Sequence, residues 1–289
     1  PLSGLNSGTA YDYYIRSICG PGDTSGFSLT DTFRTECLFF APWTENFDGP
    51  NWVSDNQTWD AINSIMDSCW TPNPDIVPGV YGWRVGNGPT TSHSTGPLTD
   101  YSGIGNYVFG EGSYGITGSL AYLTSPFIDI SNLAQPLLRY WYHMYGQDIE
   151  DLIVQVDSNG TWLSVDTISG EQQTVPNEPW IKRSINIQPT NVIRIRFVGI
   201  KGFSVQTDIA IDEVSIVETP TCLEPHSLLA QQITSDIILL DWVEVNSATQ
   251  WQVEYGPTGF TQGTGTSIIT STKPLSITGL SAGTYYDFM

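Results

Sequence analysis

Thirty carboxylates, four cysteines and three histidines are the residues of this 289-residue chain best equipped for chemistry, and ten Lys and Arg oppose them. Little of that supply is arranged for catalysis. There is no Cys-x-x-Cys, and no His stands at zinc spacing from Cys19, Cys37, Cys69 or Cys222, which argues against a zinc centre. No nucleophile comes with a paired base, and neither a His-Glu-x-x-His nor a phosphate loop occurs. Residues 110–115, "GEGSYG", match a dinucleotide-binding glycine pattern in form, but no helix pattern follows, so they read as a turn. Any chain this acidic offers carboxylate pairs of the kind used in glycoside hydrolysis, and no enzymatic activity is expected. His143, inside "YWYHMYG", reads as a satisfied sheet histidine, and Asn56 and Asn159 open Asn-x-Thr sequons.

What remains for these residues is binding. A net charge of −20 repels a phosphate backbone, which excludes nucleic acid as a partner and disfavours anionic membrane surfaces. The plain reading of the acidity is solubility in a salty exterior. The sharper one is that some carboxylates hold Ca²⁺, a hard cation that takes six to eight oxygens. An exposed aromatic ring can also stack on a sugar. Trp43, Trp52, Trp59, Trp70 and Trp162 fall in predicted turns or strand edges and are the candidates. No apolar run reaches 18 residues, so no membrane insertion is expected.

The elements that must position these groups are strands. Charged residues are only 14%, the chain holds 28 Gly and 18 Pro, and alternating stretches such as "VIRIRFVGI", "DLIVQVDS" and "QWQVEYG" recur between turn clusters. In "VIRIRFVGI" the apolar positions alternate with Arg194 and Arg196, giving one buried and one wet face. Only "TWDAINSIMDSCW" hints at a helical turn. The expectation is an all-β protein, and its sparse cysteines fit structural disulfides in an oxidising exterior.

The two ends repeat one another. Gly4, Leu5, Gly8, Thr9, Tyr11 and Asp12 recur at an offset of 275 as Gly279, Leu280, Gly283, Thr284, Tyr286 and Asp287. The chain is therefore expected to start inside one copy of a module and stop inside the next, as a window on a repeat array. Leu5 and Tyr11, six apart, resemble the tyrosine corner of fibronectin type III domains, and "IILLDWVEV" resembles the strand that carries that fold's core Trp, here Trp242. The resemblance implies the C-terminal part of one such domain at 1–36 and the N-terminal part of the next at 220–289.

Between them, residues 37–219 resemble a MAM domain. The segments that carry the resemblance are "CLFFAPWTENFDG", "CW", "YGWRVGNGPTTSHSTGPLTDYSGIGNYVFGE", "LTSPFIDI", "LLRYWYHMYG" and "TDIAIDEVSI", in the family's order. Tyr101 replaces the usual His, and Glu213 the second Asp. The resemblance implies a jelly-roll β-sandwich that is non-catalytic and serves adhesion or recognition, with Trp83 and Trp141 in its core. It also implies a structural Ca²⁺ on Glu45, Asp48, Asp100, Asp212 and Glu213. Cys37 and Cys69 are the implied disulfide pair, worth roughly 3–4 kcal/mol through loop closure. Cys19 and Cys222 are left unpaired in this stretch. The alternation of modules resembles large bacterial cell-surface proteins exported by the type IX route. The implied role is an extracellular or cell-surface adhesion segment whose partners are glycans or cell-surface proteins and whose neighbours are repeats of the same chain. The alternative is a carbohydrate-binding accessory region of a secreted polysaccharide-degrading enzyme.

Overall fold

Alternation decides the architecture. Along 192–200, Ile193, Ile195 and Phe197 are buried while Arg194 and Arg196 lie half-buried on the opposite face. The computed structural model describes residues 2–289 except 56, 57, 59, 159, 189, 223, 233 and 246. It divides into two compact units, Pro1–Thr219 and Pro220–Met289. The described residues are strands, turns and irregular chain, with no helix. The segment that hinted at one, around residues 58–70, folds into turns, with Val53 bridged to Ile65.

The first unit opens with β1 (Ala10–Tyr13), β2 (Ile18–Gly20), β3 (Asp23–Thr24) and β4 (Asp31–Arg34), paired antiparallel as β1 with β4 and β2 with β3. There follow β5 (Leu38–Phe40), β6 (Trp43–Glu45), β7 (Thr71–Asn73), β8 (Gly82–Gly86), β9 (Tyr107–Glu111), β10 (Leu120–Thr124) and β11 (Phe127–Asp129). Longer strands complete it: β12 (Pro136–His143), β13 (Asp151–Ser158), β14 (Thr161–Ser169), β15 (Ile181–Asn186), β16 (Val192–Ile200) and β17 (Ile209–Glu218). They form a sheet ordered β14-β13-β16-β10-β7, with β11 joining β16 to β5, and a second ordered β15-β12-β17-β9-β8, with β6 on β17. Early and late strands interleave in both, as a jelly-roll sandwich requires. One continuous core includes Trp83, Leu123, Tyr140, Phe197 and Ile211, each burial worth about 1.5–3 kcal/mol.

Two irregularities position the site. Opposite Tyr140 the register of β12 on β17 slips, with Arg139 facing Ser215 and Trp141 facing Asp212. Glu213 takes up the extra residue at φ 49°, a left-handed conformation that a bulge imposes on a non-glycine. The chain also runs across the expected boundary at residue 37 without a break. Gly8 N donates to Glu36 O at 3.0 Å, Leu38 N to Ser7 Oγ at 2.5 Å, and Arg34 to Gly8 O at 3.0 Å and Ser68 O at 3.2 Å.

The second unit contains β18 (His226–Gln232), β19 (Ile237–Val243), β20 (Trp251–Pro257), β21 (Thr266–Thr270), β22 (Leu275–Thr278) and β23 (Tyr286–Phe288). Its two three-stranded sheets are β18-β19-β22 and β21-β20-β23. Leu240, Trp242, Val253 and Ile277 form its small core, with Trp242 where a core Trp was expected.

Candidate functional site

An open cleft of about 510 Å³ lies between the loop 97–101 and the segment 176–180, with Trp141 of β12 on its floor. Leu98 N donates to Pro176 O at 3.2 Å and Trp180 Nε1 to Thr99 O at 3.2 Å, which ties the two walls together. Tyr101, 44% exposed, stacks on Trp141 with ring centres 4.0 Å apart and planes 25° apart. Lys182 places its ammonium 6.0 Å from the Trp141 ring. Glu178 brings a carboxylate to the cleft, whereas Asp100 lines it with its carboxyl group buried. Hydrogen bonds from the Thr174 hydroxyl and amide hold the Glu178 carboxyl below its usual range. Prolines, aromatic faces and a few acceptors on tied loops make a surface suited to binding rather than to bond breaking.

The carboxylates expected to hold an ion only partly converge. Asp212 Oδ2 accepts from Tyr101 N at 2.9 Å and Oδ1 from Glu213 N at 2.7 Å. Burial first, opposed by those amides and aided by the Asp100 and Glu213 charges, pushes its pKa up to about 8. Glu213 is raised by burial and by the Asp48 and Asp100 charges. Asp48 Oδ1 accepts from Asn106 N at 2.6 Å, and Asp100 Oδ2 from Ser102 N at 2.9 Å. Asp100 Oδ1 is buried without a hydrogen-bond partner. Glu45 turns elsewhere. Its carboxylate accepts from Phe47 N at 3.0 Å and Trp70 Nε1 at 3.3 Å, and burial raises its pKa, with Asp67 adding to the effect. Among the described residues no three His, Cys, Asp or Glu side chains stand together as a ready ligand set. Four of the five expected residues thus share one electrostatic neighbourhood without forming a ready ligand set.

The expected stacking tryptophans need correction. Trp43, Trp52 and Trp70 are not exposed: they are in the main core, packed with Phe47, because the loops around them fold back over the sandwich. Trp59 lies outside the described residues. Trp162 is half-buried on the outer sheet face, with the Arg196 guanidinium 4.1 Å and that of Arg194 5.3 Å from its ring. Those guanidinium groups also cover Tyr122 at 4.9 Å and Phe127 at 4.6 Å. Trp83 is buried as expected, whereas Trp141 is only half-buried and belongs to the cleft. Sequence reasoning missed that cleft. Its signal was the departure at Tyr101 together with the proline-flanked "PNEPW" of 176–180. His143 is fully buried, its ring 5.7 Å from that of Trp180 and beside the Glu178 main chain. Cys37 and Cys69 are disulfide-bonded with Cα atoms 5.5 Å apart, and Cys19 and Cys222 are free and exposed.

The sequence profile of the family described as "MAM domain, meprin/A5/mu" matches residues 70–223, more than half of the chain. The chain belongs to the MAM family. The MAM sandwich begins before the matched segment, since β5 and β6 already pair with β11 and β17. Chicken MAM domain-containing glycosylphosphatidylinositol anchor protein 1 is 34% identical over 134 residues, covering 44% of this chain and 14% of that protein. Mouse MAM domain-containing glycosylphosphatidylinositol anchor protein 2 is 29% identical over 192 residues, 63% of this chain and 17% of its own length. The chain thus spans about a sixth of the length of these relatives. Among solved structures, the K1 cleaved adhesin domain of Lys-gingipain from Porphyromonas gingivalis aligns with a TM-score of 0.40 and 18% identity, covering 62% of this chain and 98% of that one. TmCBM61 in complex with β-1,4-galactotriose aligns at 0.34 and 15%, covering 53% of this chain and 90% of the other. No helix among the described residues is long and apolar enough to cross a membrane.

Proposed function

We propose that this chain is a non-catalytic recognition and adhesion segment of a modular protein of the cell exterior. In this reading residues 37–219 are the MAM recognition module. Residues 1–36 and 220–289 are parts of successive fibronectin type III spacers in a repeat protein. The observation that carries the reading is the MAM sandwich presenting the Tyr101–Trp141 stack in an open cleft between Asp100 and Glu178. Such a cleft suits a glycan without negative charge, whose ring can lie on the exposed Tyr101 and whose hydroxyls can donate to the Glu178 carboxylate. A structural Ca²⁺ belongs to the same reading, held by Asp48, Asp100, Asp212 and Glu213 with carbonyls of their turns. Glu45 is left out because its carboxylate turns to Phe47 N and Trp70 Nε1, away from the charges that the other four share. It would fix the loop that carries Tyr101.

A second reading, a carbohydrate-binding accessory region of a secreted polysaccharide-degrading enzyme, draws on the same aromatic and carboxylate composition of the cleft. The test titrates the whole chain with neutral and acidic polysaccharides, and repeats it with Tyr101→Ala. The expected result is binding to a neutral glycan that weakens at least about tenfold in the variant, about 1.4 kcal/mol, with the melting curve unchanged. Equal binding by Tyr101→Ala, or binding only to polyanions, overturns the assignment of the cleft.

A further inference from the structure

The outer face of the β14-β13-β16-β10-β7 sheet gathers cations on a chain that has few of them. Cross-strand register sets Trp162, Asp157 and Arg194 in one row, and Ser164, Gln155, Arg196, Thr124 and Thr71 in the next. With neighbouring strands about 4.8 Å apart, the second row runs roughly 19 Å across the face. Both of its ends, Ser164 and Thr71, are exposed.

The two arginines are wired alike. Arg194 Nε and Nη2 both donate to Asp157 Oδ2, at 3.3 and 2.7 Å, and Arg196 Nε and Nη2 both donate to Gln155 Oε1. Each spends two donors on a single oxygen of β13, and among the described residues neither Nη1 has a hydrogen-bond partner. Their remaining contacts are aromatic rings. Both guanidinium groups lie over Trp162, that of Arg194 also over Phe127 and that of Arg196 over Tyr122. A ring face holds a cation in place but is a weak hydrogen-bond acceptor, so the two Nη1 groups are positioned and still call for oxygen.

Arg196 has the greater need, because its hydrogen-bond partner is a neutral amide rather than a carboxylate. Burial, with the Arg194 charge beside it, draws its pKa down, against through-space support from Tyr122 and Asp157. A guanidinium keeps its proton under such pressure, and a half-buried one gains from an anion that meets it. Arg194 extends the patch. It shares with Arg34 a pocket of about 260 Å³ beside the Cys37–Cys69 disulfide, lined also by Ser68, Thr71, Ser125 and Glu36.

We propose that this face binds an acidic polysaccharide built of uronic acids, whose carboxylates accept from Nη1 of Arg194 and Arg196 and whose hydroxyls pair with Ser164, Thr124 and Thr71. Charge-assisted hydrogen bonds from arginine to carboxylate are the strong kind. The rings are already covered, so recognition here is polar and uses no stacking on Trp162. The net charge of −20 opposes a polyanion from afar, but beyond about 8 Å that repulsion is largely screened at physiological ionic strength. Neither Tyr101 nor the cleft takes part, so this site stands apart from the neutral-glycan assignment.

Isothermal titration calorimetry at about 0.15 M salt measures binding of polygalacturonate, and of the same polymer with its carboxyl groups reduced to alcohols. The proteins are wild type, Arg196→Gln, Ser164→Asp and Tyr101→Ala, with circular dichroism as the check on folding. Wild type is expected to bind polygalacturonate. The affinity falls at least about tenfold in Arg196→Gln and in Ser164→Asp, falls as far for the reduced polymer, and is kept in Tyr101→Ala. Ser164 is exposed on the edge strand β14, so Ser164→Asp decides alone if Arg196→Gln does not fold. No binding by wild type, equal binding of the reduced polymer, or unchanged affinity in the folded variants overturns the site and leaves the arginines as braces of the sheet. A loss in Tyr101→Ala moves the binding to the cleft, and tighter binding of dextran sulfate than of polygalacturonate removes the uronate assignment.

Discussion

The main-chain amide of Asn6 donates to the hydroxyl of Tyr11 at 2.8 Å, and 275 residues later Ser281 and Tyr286 make the same bond at 3.0 Å. The matching glycines agree as well: Gly4 and Gly279 both sit at φ 77°. A sequence repeat is therefore also a repeat of local geometry, with a phenol pinning the chain just before a strand. Replacing the hydroxyl tests its weight. Tyr286→Phe is expected to lower the stability of the second unit by about 1 kcal/mol, the worth of an ordinary hydrogen bond. Tyr11→Phe should cost the first unit about as much, because both bonds are equally exposed to water. Urea unfolding followed by tryptophan fluorescence measures both, and no change in either would remove the corner as a stabilising device.

The opening segment packs against the Cys37–Cys69 disulfide. A Cβ on Gly8 would meet Cys37 Sγ at 2.8 Å, and Gly8 sits at φ 61°. Gly8→Ala is expected to destabilise the first unit by about 1–3 kcal/mol through overpacking and strain. Cys37→Ser with Cys69→Ser should cost about 3–4 kcal/mol. Differential scanning calorimetry with and without reductant reads the second effect. A melting temperature indifferent to reduction contradicts it.

Acid should weaken the fold through His143. Burial pushes its pKa down to about 4, with the Glu178 backbone and charge pulling the other way, whereas an unfolded histidine titrates near 6.5. Its contribution is complete above pH 6.5 and is lost as the pH falls from 6.5 towards 4, because the unfolded chain takes up the proton first. The loss is up to about 3 kcal/mol. Urea midpoints across that range should fall in wild type and fall less in His143→Phe. Parallel slopes in the two proteins would assign the acid sensitivity to other groups.

Calcium is expected to raise the melting temperature relative to chelator. Saturation at a hundred times the dissociation constant stabilises by about 2.7 kcal/mol. Asp212→Asn should reduce the shift, and Glu45→Gln should leave it unchanged. An equal reduction by both would return Glu45 to the ligand set.

The class of the fold was legible because alternation along strands such as β16 is a local pattern that burial enforces residue by residue. The disulfide and the jelly roll were legible through family resemblance. The sites were less so. Trp43, Trp52 and Trp70 were candidates for an exposed ring because their neighbours are turn formers, yet a turn can be the lid of a core. Trp141 was misjudged in the opposite sense, since a bulge one residue away decides what its ring meets. Composition and spacing also do not encode the register that sets Glu111 at the end of β9 opposite Asp208 just before β17, almost a hundred residues on.

The row of Phe127, Arg194, Trp162, Arg196 and Tyr122 bears on how the sandwich meets other sheets. Lamination of a further sheet requires a dry, interdigitating face, and docking one here would strip water from two guanidinium groups with nothing new to neutralise them. Rings that would otherwise invite such stacking are instead capped by charge. The outer face is thus a poor template for stacking a further sheet, because its rings are already covered by guanidinium groups, one of them paired with Asp157.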